Sequence, residues 1–192
     1  MQPEIENFKK YLTGIISMDD VSFELALENL KIETILKGNF LVKEGEICRK
    51  IAFVHKGLFR VFNNKDGIEV NSCFCLENTF ASSISSIISQ TPSSQSIQAL
   101  ENSTVVSFSP ETCNQLSSVN KQWQLIRQLL TEKECIRLSD RANFLSYETA
   151  LEKYQNLLRL HPELIQRVPI QHLASYLGIS RETLSRIRSK VG

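Results

Sequence analysis

Two arginines and a glutamate lie within six residues near the C-terminal end of the sequence, in the segment SRETLSRIRSK. They are Arg181, Glu182 and Arg186, and Ser180 precedes them. An arginine guanidinium can donate two parallel hydrogen bonds to O6 and N7 of guanine, and a glutamate carboxylate can accept one from N4 of cytosine. This set of side chains therefore predicts a surface that reads the edges of nucleic-acid bases.

The residues around this set have the spacing of two short helices. Their apolar positions are Ile170, Leu173, Ala174, Leu177, Leu184, Ile187 and Val191. Between the two groups, Gly178 can take the positive φ that ends a helix, and Ser180 is a good N-cap for the next one. Two short helices joined by a three-residue turn predict a helix-turn-helix. Arg181, Glu182 and Arg186 lie away from the apolar side of its second helix, at the end that enters a DNA major groove in this motif.

Charge and composition agree with this interpretation. From Thr149 onward, seven basic residues stand against three acidic ones, although the whole chain of 192 residues carries a net charge of only +1. A basic end on a slightly acidic body favours a polyanionic partner. The chain has neither a signal-peptide pattern nor an apolar run long enough to span a membrane. Five cysteines without a CxxC pair argue against a disulfide framework, so we expect a cytoplasmic protein.

The first half of the sequence has the pattern of an antiparallel β structure. Runs rich in Val, Ile and Phe alternate with glycines, and Asp66-Gly67 is a hairpin-turn signal between two of them. The segments predicted as strands are FLVKEGE, KIAFVHKG, LFRVFNNKDG, IEVNSCFCLE, SIQAL and TVVSF. In the fourth of them, strict alternation would place Ile68, Val70, Phe74 and Leu76 on one face. The pattern predicts an α+β fold with an N-terminal antiparallel barrel or roll.

Helices are predicted on either side of this roll. Ser17 and Asp20 have the spacing of a helix cap, and Ser109 followed by Pro110 begins a second helix. From about residue 119 to 145 there is neither Gly nor Pro, and an apolar stripe runs along the segment through Ile126, Leu129, Leu130 and Ile136. A helix of this length extends beyond a small roll. We therefore expect it to dimerise with a second copy, with packing inside one chain as the alternative.

The segment QHLASYLGISRETLSRIRSK resembles the helix-turn-helix of the Crp/Fnr family of bacterial transcription regulators. The rest of the chain is similar in order, with KGNFLVKEGE and FVHKGLFRVF in the roll and a long helix after it. The resemblance implies a cyclic nucleotide-binding-like β-roll (a double-stranded β-helix or jelly roll) over residues 1–118. It further implies a dimerisation helix over residues 119–145 and a DNA-binding domain over residues 146–192.

The resemblance also implies roles for individual residues. Base contacts fall on Arg181, Glu182 and Arg186, and phosphate contacts on Gln171, Ser180, Thr183 and Ser185, to which the basic residues Arg188 and Lys190 are added. Its implied partners are double-stranded DNA, a second copy of the chain and RNA polymerase. The family normally has a β-hairpin wing after the second helix. This chain reaches Gly192 without one, so we expect the wing's phosphate contacts to be absent or supplied elsewhere.

The effector predicted from the same resemblance is not cyclic AMP. Family members that bind cyclic nucleotides use a glutamate for the ribose and an arginine for the phosphate, in a short cassette between two strands. The matching positions here are Ser82 and Ser93, and no Lys or Arg lies between Lys65 and Lys121. A buried phosphate charge without a cationic partner is costly. The candidate pocket residues are Phe80, Ala81, Ser82, Ser83, Ser93, Ser94 and Gln95. We expect this pocket to bind an uncharged ligand or nothing.

Other functional classes receive less support. The scattered cysteines, with only Cys73 and Cys75 close together, do not match an iron–sulfur set, and no pair of histidines has metal-ligand spacing. We expect no cofactor or metal, and we expect His172 to contact backbone or solvent. No phosphate-binding loop, GxSxG or HExxH motif is present, so the chain is not predicted to be an enzyme. The alternative to a DNA-binding regulator is a module that binds a protein partner or a small effector without reading DNA.

Overall fold

The structure is a computed structural model that describes the backbone of residues 1–191 and the side chains of residues 1–190. Its strands are β1 (Lys31–Ile35), β2 (Phe40–Val42), β3 (Ile51–Lys56), β4 (Phe59–Lys65), β5 (Ile68–Cys75), β6 (Phe80–Ala81), β7 (Ser96–Ala99) and β8 (Ser103–Phe108). Its helices are α1 (Pro3–Thr13), α2 (Asp20–Leu27), α3 (Ile84–Ser89), α4 (Pro110–Val119), α5 (Lys121–Tyr147), α6 (Ala150–Leu160), α7 (Pro162–Arg167), α8 (Ile170–Leu177) and α9 (Arg181–Val191). Two predictions lie outside the described residues. One is the lack of a wing after α9, which falls at Gly192, and the other is the packing of the Val191 side chain.

The eight strands form two antiparallel sheets of four strands each, with the orders β1-β8-β3-β6 and β2-β7-β4-β5. Apolar side chains from both sheets meet between them, among them Val54, Phe59, Ile97 and Val105. The predicted α+β fold with an antiparallel roll is therefore confirmed. Strands β1 and β6 and helix α3 are additional to the segments predicted from the sequence.

Strand β5 departs from the alternation predicted for it. The pairing of β4 with β5 shifts register between Val61 and Phe62, which pair with Cys73 and Asn71 and leave Ser72 without an opposite residue. Such a bulge interrupts the period of two. Phe74 and Leu76 pack against the C-terminal helices, whereas Ile68 and Val70 at the start of the strand stay largely exposed. The single apolar face predicted along this strand was therefore wrong.

The N-terminal helices cover one side of the roll. Phe8 and Phe23, from α1 and α2, pack with Phe53 of the roll and with Trp123 and Ile126 of α5 in one buried cluster. The cap of α2 is Asp19, whose carboxylate accepts a hydrogen bond of 2.7 Å from the backbone N–H of Ser22. The predicted cap at Ser17 was wrong, because the helix begins two residues later.

The long helix is separated from the helix before it by a single residue. Ser109 caps α4 as predicted, and Asn120 ends that helix and caps α5 by accepting hydrogen bonds from the backbone N–H groups of Gln122 and Trp123. Helix α5 has 27 residues, which corresponds to about 40 Å. No helix in residues 1–191 combines the length and apolarity needed to cross a bilayer.

Helices α6 to α9, which we call the C-terminal helical unit, form a third buried cluster. Leu164, Leu173, Leu177 and Leu184 of this unit are all nearly inaccessible to solvent. Leu58, from the roll, is fully buried in the same cluster. The unit thus shares apolar contacts with the outer surface of the roll, and this sharing positions the candidate site described next.

Candidate nucleic-acid interface

The turn between α8 and α9 fixes the direction in which α9 leaves the unit. Gly178 has φ of +68° and ends α8, and the N–H of Ile179 bonds to the carbonyl of Ala174 at 3.1 Å. Ser180 then begins α9, since its hydroxyl accepts a hydrogen bond of 3.1 Å from the N–H of Thr183. The predicted turn and cap are confirmed.

The two sides of α9 have opposite surroundings. Leu184 is fully buried and Ile187 packs against the same cluster. Arg181, Glu182 and Arg186 are all exposed on the outer side. Because the inner side is anchored, the three polar side chains project from a fixed helix, where Arg186 also lies 3.4 Å from the hydroxyl of Thr183. The geometry allows them to meet an external partner.

The electrostatics of the outer side favour charged hydrogen-bonding groups. The pKa of the Glu182 carboxyl is lowered by its own backbone N–H and by the Ser180 hydroxyl, with smaller contributions from Arg181 and Arg186. The positive end of the helix dipole acts in the same direction. Glu182 is therefore an ionised acceptor at neutral pH, flanked by two guanidinium donors.

The residues predicted to contact phosphates surround this surface. Gln171, Ser180, Ser185 and Lys190 are exposed, whereas Thr183 and Arg188 are half-buried. Gln171, Ser180 and Arg181 line one open groove together with Ile68 and Val70 of β5. The fold thus brings the predicted polar contacts to one end of the helical unit, and it adds the start of β5 as a neighbour that the sequence did not indicate.

Residues of the candidate effector cassette form hydrogen bonds with one another and with neighbouring residues of the roll. Ser93 Oγ lies 2.9 Å from Ser83 Oγ and 2.8 Å from the carbonyl of Gln95. The amide of Gln95 donates to Asn63 Oδ1 and Ser72 Oγ, both at 3.2 Å. The remaining cassette residues are Ala81, which is buried, Ser82 and Phe80, which are half-buried, and Ser94, which is exposed. Among the described residues, the Ser82 hydroxyl is buried without a hydrogen-bond partner.

The stripe of α5 predicted as a dimer seam divides between two sides of the helix. Ile126 is buried in its own subunit's core and Leu130 packs against that core. Both side chains face the roll, so a seam with a second copy does not include them, and their assignment to it was wrong. Ile136 is 63% exposed and Leu125 is 42% exposed. Leu125, Leu129 and Ile136 lie within about 40° of one another around the helix. This side of α5 is not covered by the roll.

Several polar residues that join the helical unit to the roll were missed from the sequence. Arg167 contacts Glu77 and Glu101, and Arg60 of β4 contacts His172 of α8. The expectation that His172 contacts backbone or solvent was wrong. These pairs are far apart in sequence and belong to no motif, so a single sequence carries no signal for them.

Comparison with known proteins agrees with this fold. Residues 32–120 match the family model of the cyclic nucleotide-binding domain. FixK2 from Bradyrhizobium japonicum has a similar structure, with a TM-score of 0.71 and 17% sequence identity over 84% of each chain. The regulator CLP from Xanthomonas campestris, described as responsive to c-di-GMP, has a TM-score of 0.69 and 19% identity over 90% of this chain and 91% of its own.

A third similar structure is the catabolite activator protein of Thermus thermophilus. Its TM-score is 0.59 and its identity 18%, over 94% of this chain and 86% of that one. No curated protein sequence matches. The chain therefore carries a domain of the cyclic nucleotide-binding type and has the fold of the Crp/Fnr regulators. The resemblance predicted from the sequence is confirmed at that level.

Proposed function

We propose that the protein is a sequence-specific DNA-binding transcription regulator of the Crp/Fnr type. The observation that carries this proposal is the outer side of α9, where Arg181, Glu182 and Arg186 are exposed while the opposite side is anchored in a buried cluster. In a helix-turn-helix the N-terminal part of the second helix contacts base edges. We assign the base contacts to Arg181, Glu182 and Arg186. We assign the phosphate contacts to Gln171, Ser180, Thr183, Ser185, Arg188 and Lys190.

The regulator acts as a homodimer on near-palindromic sites. Leu125 and Ile136, which are exposed, and Leu129, which is half-buried, form an apolar stripe on α5. Burying this stripe against a second copy removes apolar surface from water. A two-fold dimer would present two copies of α9 to half-sites about 34 Å apart. The division into a roll (residues 1–118), a dimerisation helix (119–145) and a DNA-binding domain (146–192) is part of this proposal, as are the cytoplasm as location and RNA polymerase as partner.

Cyclic AMP is not the effector in this proposal. The cassette serines bond to one another and to Gln95, and they carry no positive charge for a phosphate. A cyclic phosphate placed there would lose its hydration without gaining an ion pair. In a calorimetric titration of the dimer with cyclic AMP we expect no saturable heat, and saturable binding in the micromolar range would refute this part.

The proposed function is tested by DNA binding at two salt concentrations. Because phosphate contacts release counterions, affinity should fall steeply as salt rises. A fluorescently labelled duplex from the region upstream of the gene would be bound at low salt, with a sequence preference that survives competition by random DNA. If the purified dimer binds no duplex even at about 50 mM salt, the alternative of a protein-binding module takes its place.

A further inference from the structure

Arg167 links the C-terminal helical unit to the roll through four side-chain hydrogen bonds. It lies at the end of α7, and its guanidinium donates to both carboxylate oxygens of Glu77, at 2.8 Å each. It also donates to both oxygens of Glu101, at 3.0 and 2.8 Å. One side chain from the helical unit therefore holds two loops of the roll, since Glu77 follows β5 and Glu101 lies between β7 and β8.

On the side of the roll, Glu77 is held in place by a backbone hydrogen bond. Glu77 Oε1 accepts a further hydrogen bond of 2.9 Å from the backbone N–H of Gly57. The hydrogen bonds from Arg167 lower the pKa of the Glu77 carboxyl to about 2, so this carboxylate is charged at neutral pH. A planar guanidinium can form paired bonds with two carboxylates at once, whereas an ammonium group acts as a single point charge. The link consequently restrains orientation as well as distance.

A second contact ties α8 itself to β5. The hydroxyl of Ser175 donates to the carbonyl of Glu69 and accepts from the N–H of Asn71, both at 2.9 Å. Helix α8 is joined to α9 by the three-residue turn at Gly178. The direction of α9 therefore depends on how α8 lies against the roll.

The docked arrangement also contains an unfavourable group. The side chain of Asn71 is 1% exposed, and neither of its polar atoms has a hydrogen-bond partner within the part of the chain that the structure describes. Separation of α8 from β5 would allow water to reach this amide, which favours undocking. The docked orientation therefore depends on the contacts that oppose separation, and Arg167 makes four of them.

We propose that Arg167, held by Glu77 and Glu101, is a positioning residue that fixes the direction of α9 relative to the roll and so sets the half-site spacing that the dimer accepts. This inference rests on the proposed function. Since α5 of the same subunit would form the dimer seam, the separation of the two copies of α9 follows from the orientation of each helical unit. A loosened unit would still read a half-site, but it would tolerate several spacings.

The test compares three variants of the full-length protein. Arg167→Ala removes the link, and Arg167→Lys keeps the charge but cannot form the paired hydrogen bonds that the guanidinium makes with each carboxylate. Arg159→Ala is the control, because it removes one positive charge from the same helical unit, and the exposed Arg159 side chain hydrogen-bonds within that unit, to Asn156. Arg141 of α5 bonds to the carbonyl of Tyr176 and stacks on its ring at 3.9 Å, so the unit stays attached in each variant.

Two measurements are made on each protein. Hydrogen exchange without DNA should be faster in β5 and α8 for Arg167→Ala than for the wild type, and unchanged for Arg159→Ala. Affinity is then measured for duplexes whose half-sites are moved one or two base pairs closer or farther apart. We expect the wild type to lose about tenfold in affinity per altered spacing, Arg167→Ala to lose less than about threefold, and Arg167→Lys to lie between them.

The outcomes separate this inference from the proposed function. If the wild type binds DNA and Arg167→Ala keeps the wild-type spacing preference, the inference is overturned and the proposed function stands. Unchanged hydrogen exchange in Arg167→Ala also overturns it. If the wild type binds no duplex, the proposed function fails, and the spacing role fails with it.

Discussion

The guanidinium of Arg60 lies 3.1 Å from Nδ1 of His172, across the boundary between the roll and α8. Arg60 can only donate, so Nδ1 must accept and the imidazole must be neutral, with its proton on Nε2. Arg60 is 5% exposed and also bonds to Glu69 and Gln98. His172 of α8 is therefore part of a polar cluster around the buried Arg60, at the contact between α8 and the roll.

Docking of α8 should weaken as the pH falls. Burial, and then the charge of Arg60, lower the pKa of His172 below its ordinary value of 6.5, although Glu69 opposes the shift. The unfolded chain therefore binds the proton more readily, so the stability that neutral His172 provides is present above pH 6.5 and is lost as the pH falls below it.

This pH dependence is measured by thermal unfolding at about pH 7.5 and about pH 5.5. The variant His172→Gln can still accept from Arg60 but does not titrate, so we expect its melting temperature to fall less than that of the wild type between the two pH values. His161→Gln, at an exposed histidine that contacts Glu163, is the control. Equal pH dependence in the wild type and His172→Gln would contradict the role of His172.

Local features were predictable from the sequence, whereas contacts between distant segments were not. Gly178 and Ser180 fix the turn before α9 by their own backbone and side-chain preferences, and the outer polar side of α9 follows from helical periodicity. The partners of Arg167, Glu101 and Glu77, lie 66 and 90 positions away in the chain. A periodic pattern in the sequence does not indicate contacts at such separations. The bulge at Ser72 was missed for a related reason, because it arises from the pairing of β4 with β5.

The dimer seam is tested by two charged substitutions on α5. Ile136 is exposed and belongs to the same α5 stripe as Leu125 and Leu129, whereas Leu138 is also exposed but lies about 200° away around the helix. Ile136→Lys should shift the protein toward monomer in sedimentation equilibrium, since a lysine in an apolar seam must lose its hydration. Leu138→Lys should leave the dimer intact. A monomeric wild type, or equal dissociation of both variants, would remove this stripe from the proposal.

Two glycines in the roll should differ in their tolerance of a side chain. Gly57 has φ of +109°, and a Cβ there would lie 2.1 Å from Ser103 Oγ and 2.7 Å from Ser103 Cα. Gly67 has φ of +84°, and a Cβ there would meet no atom of the described residues within 4 Å apart from its chain neighbours. Gly57→Ala should lower the free energy of unfolding by about 2–4 kcal/mol and Gly67→Ala by about 1 kcal/mol. Chemical denaturation measures both, and a smaller loss for Gly57→Ala than for Gly67→Ala would contradict the close approach of Gly57 to Ser103.

Base contacts and phosphate contacts on α9 should respond differently to truncation. Arg186→Ala should weaken binding by about 1–3 kcal/mol and relax the base preference at one position of each half-site. Lys190→Ala should weaken binding to all sequences alike and reduce the slope of log affinity against log salt by about one. Affinities across a set of single-base variants at three salt concentrations separate the two effects. A uniform loss for Arg186→Ala would make this residue a phosphate contact.

The most direct measurement is selection of binding sites from a pool of random duplexes by the wild-type protein. We expect enrichment of a two-fold symmetric site whose half-sites lie about one helical turn apart, and no enrichment when Arg181, Glu182 and Arg186 are all changed to alanine. Failure of the wild-type protein to enrich any sequence at low salt would contradict the account, and so would enrichment that survives the triple substitution.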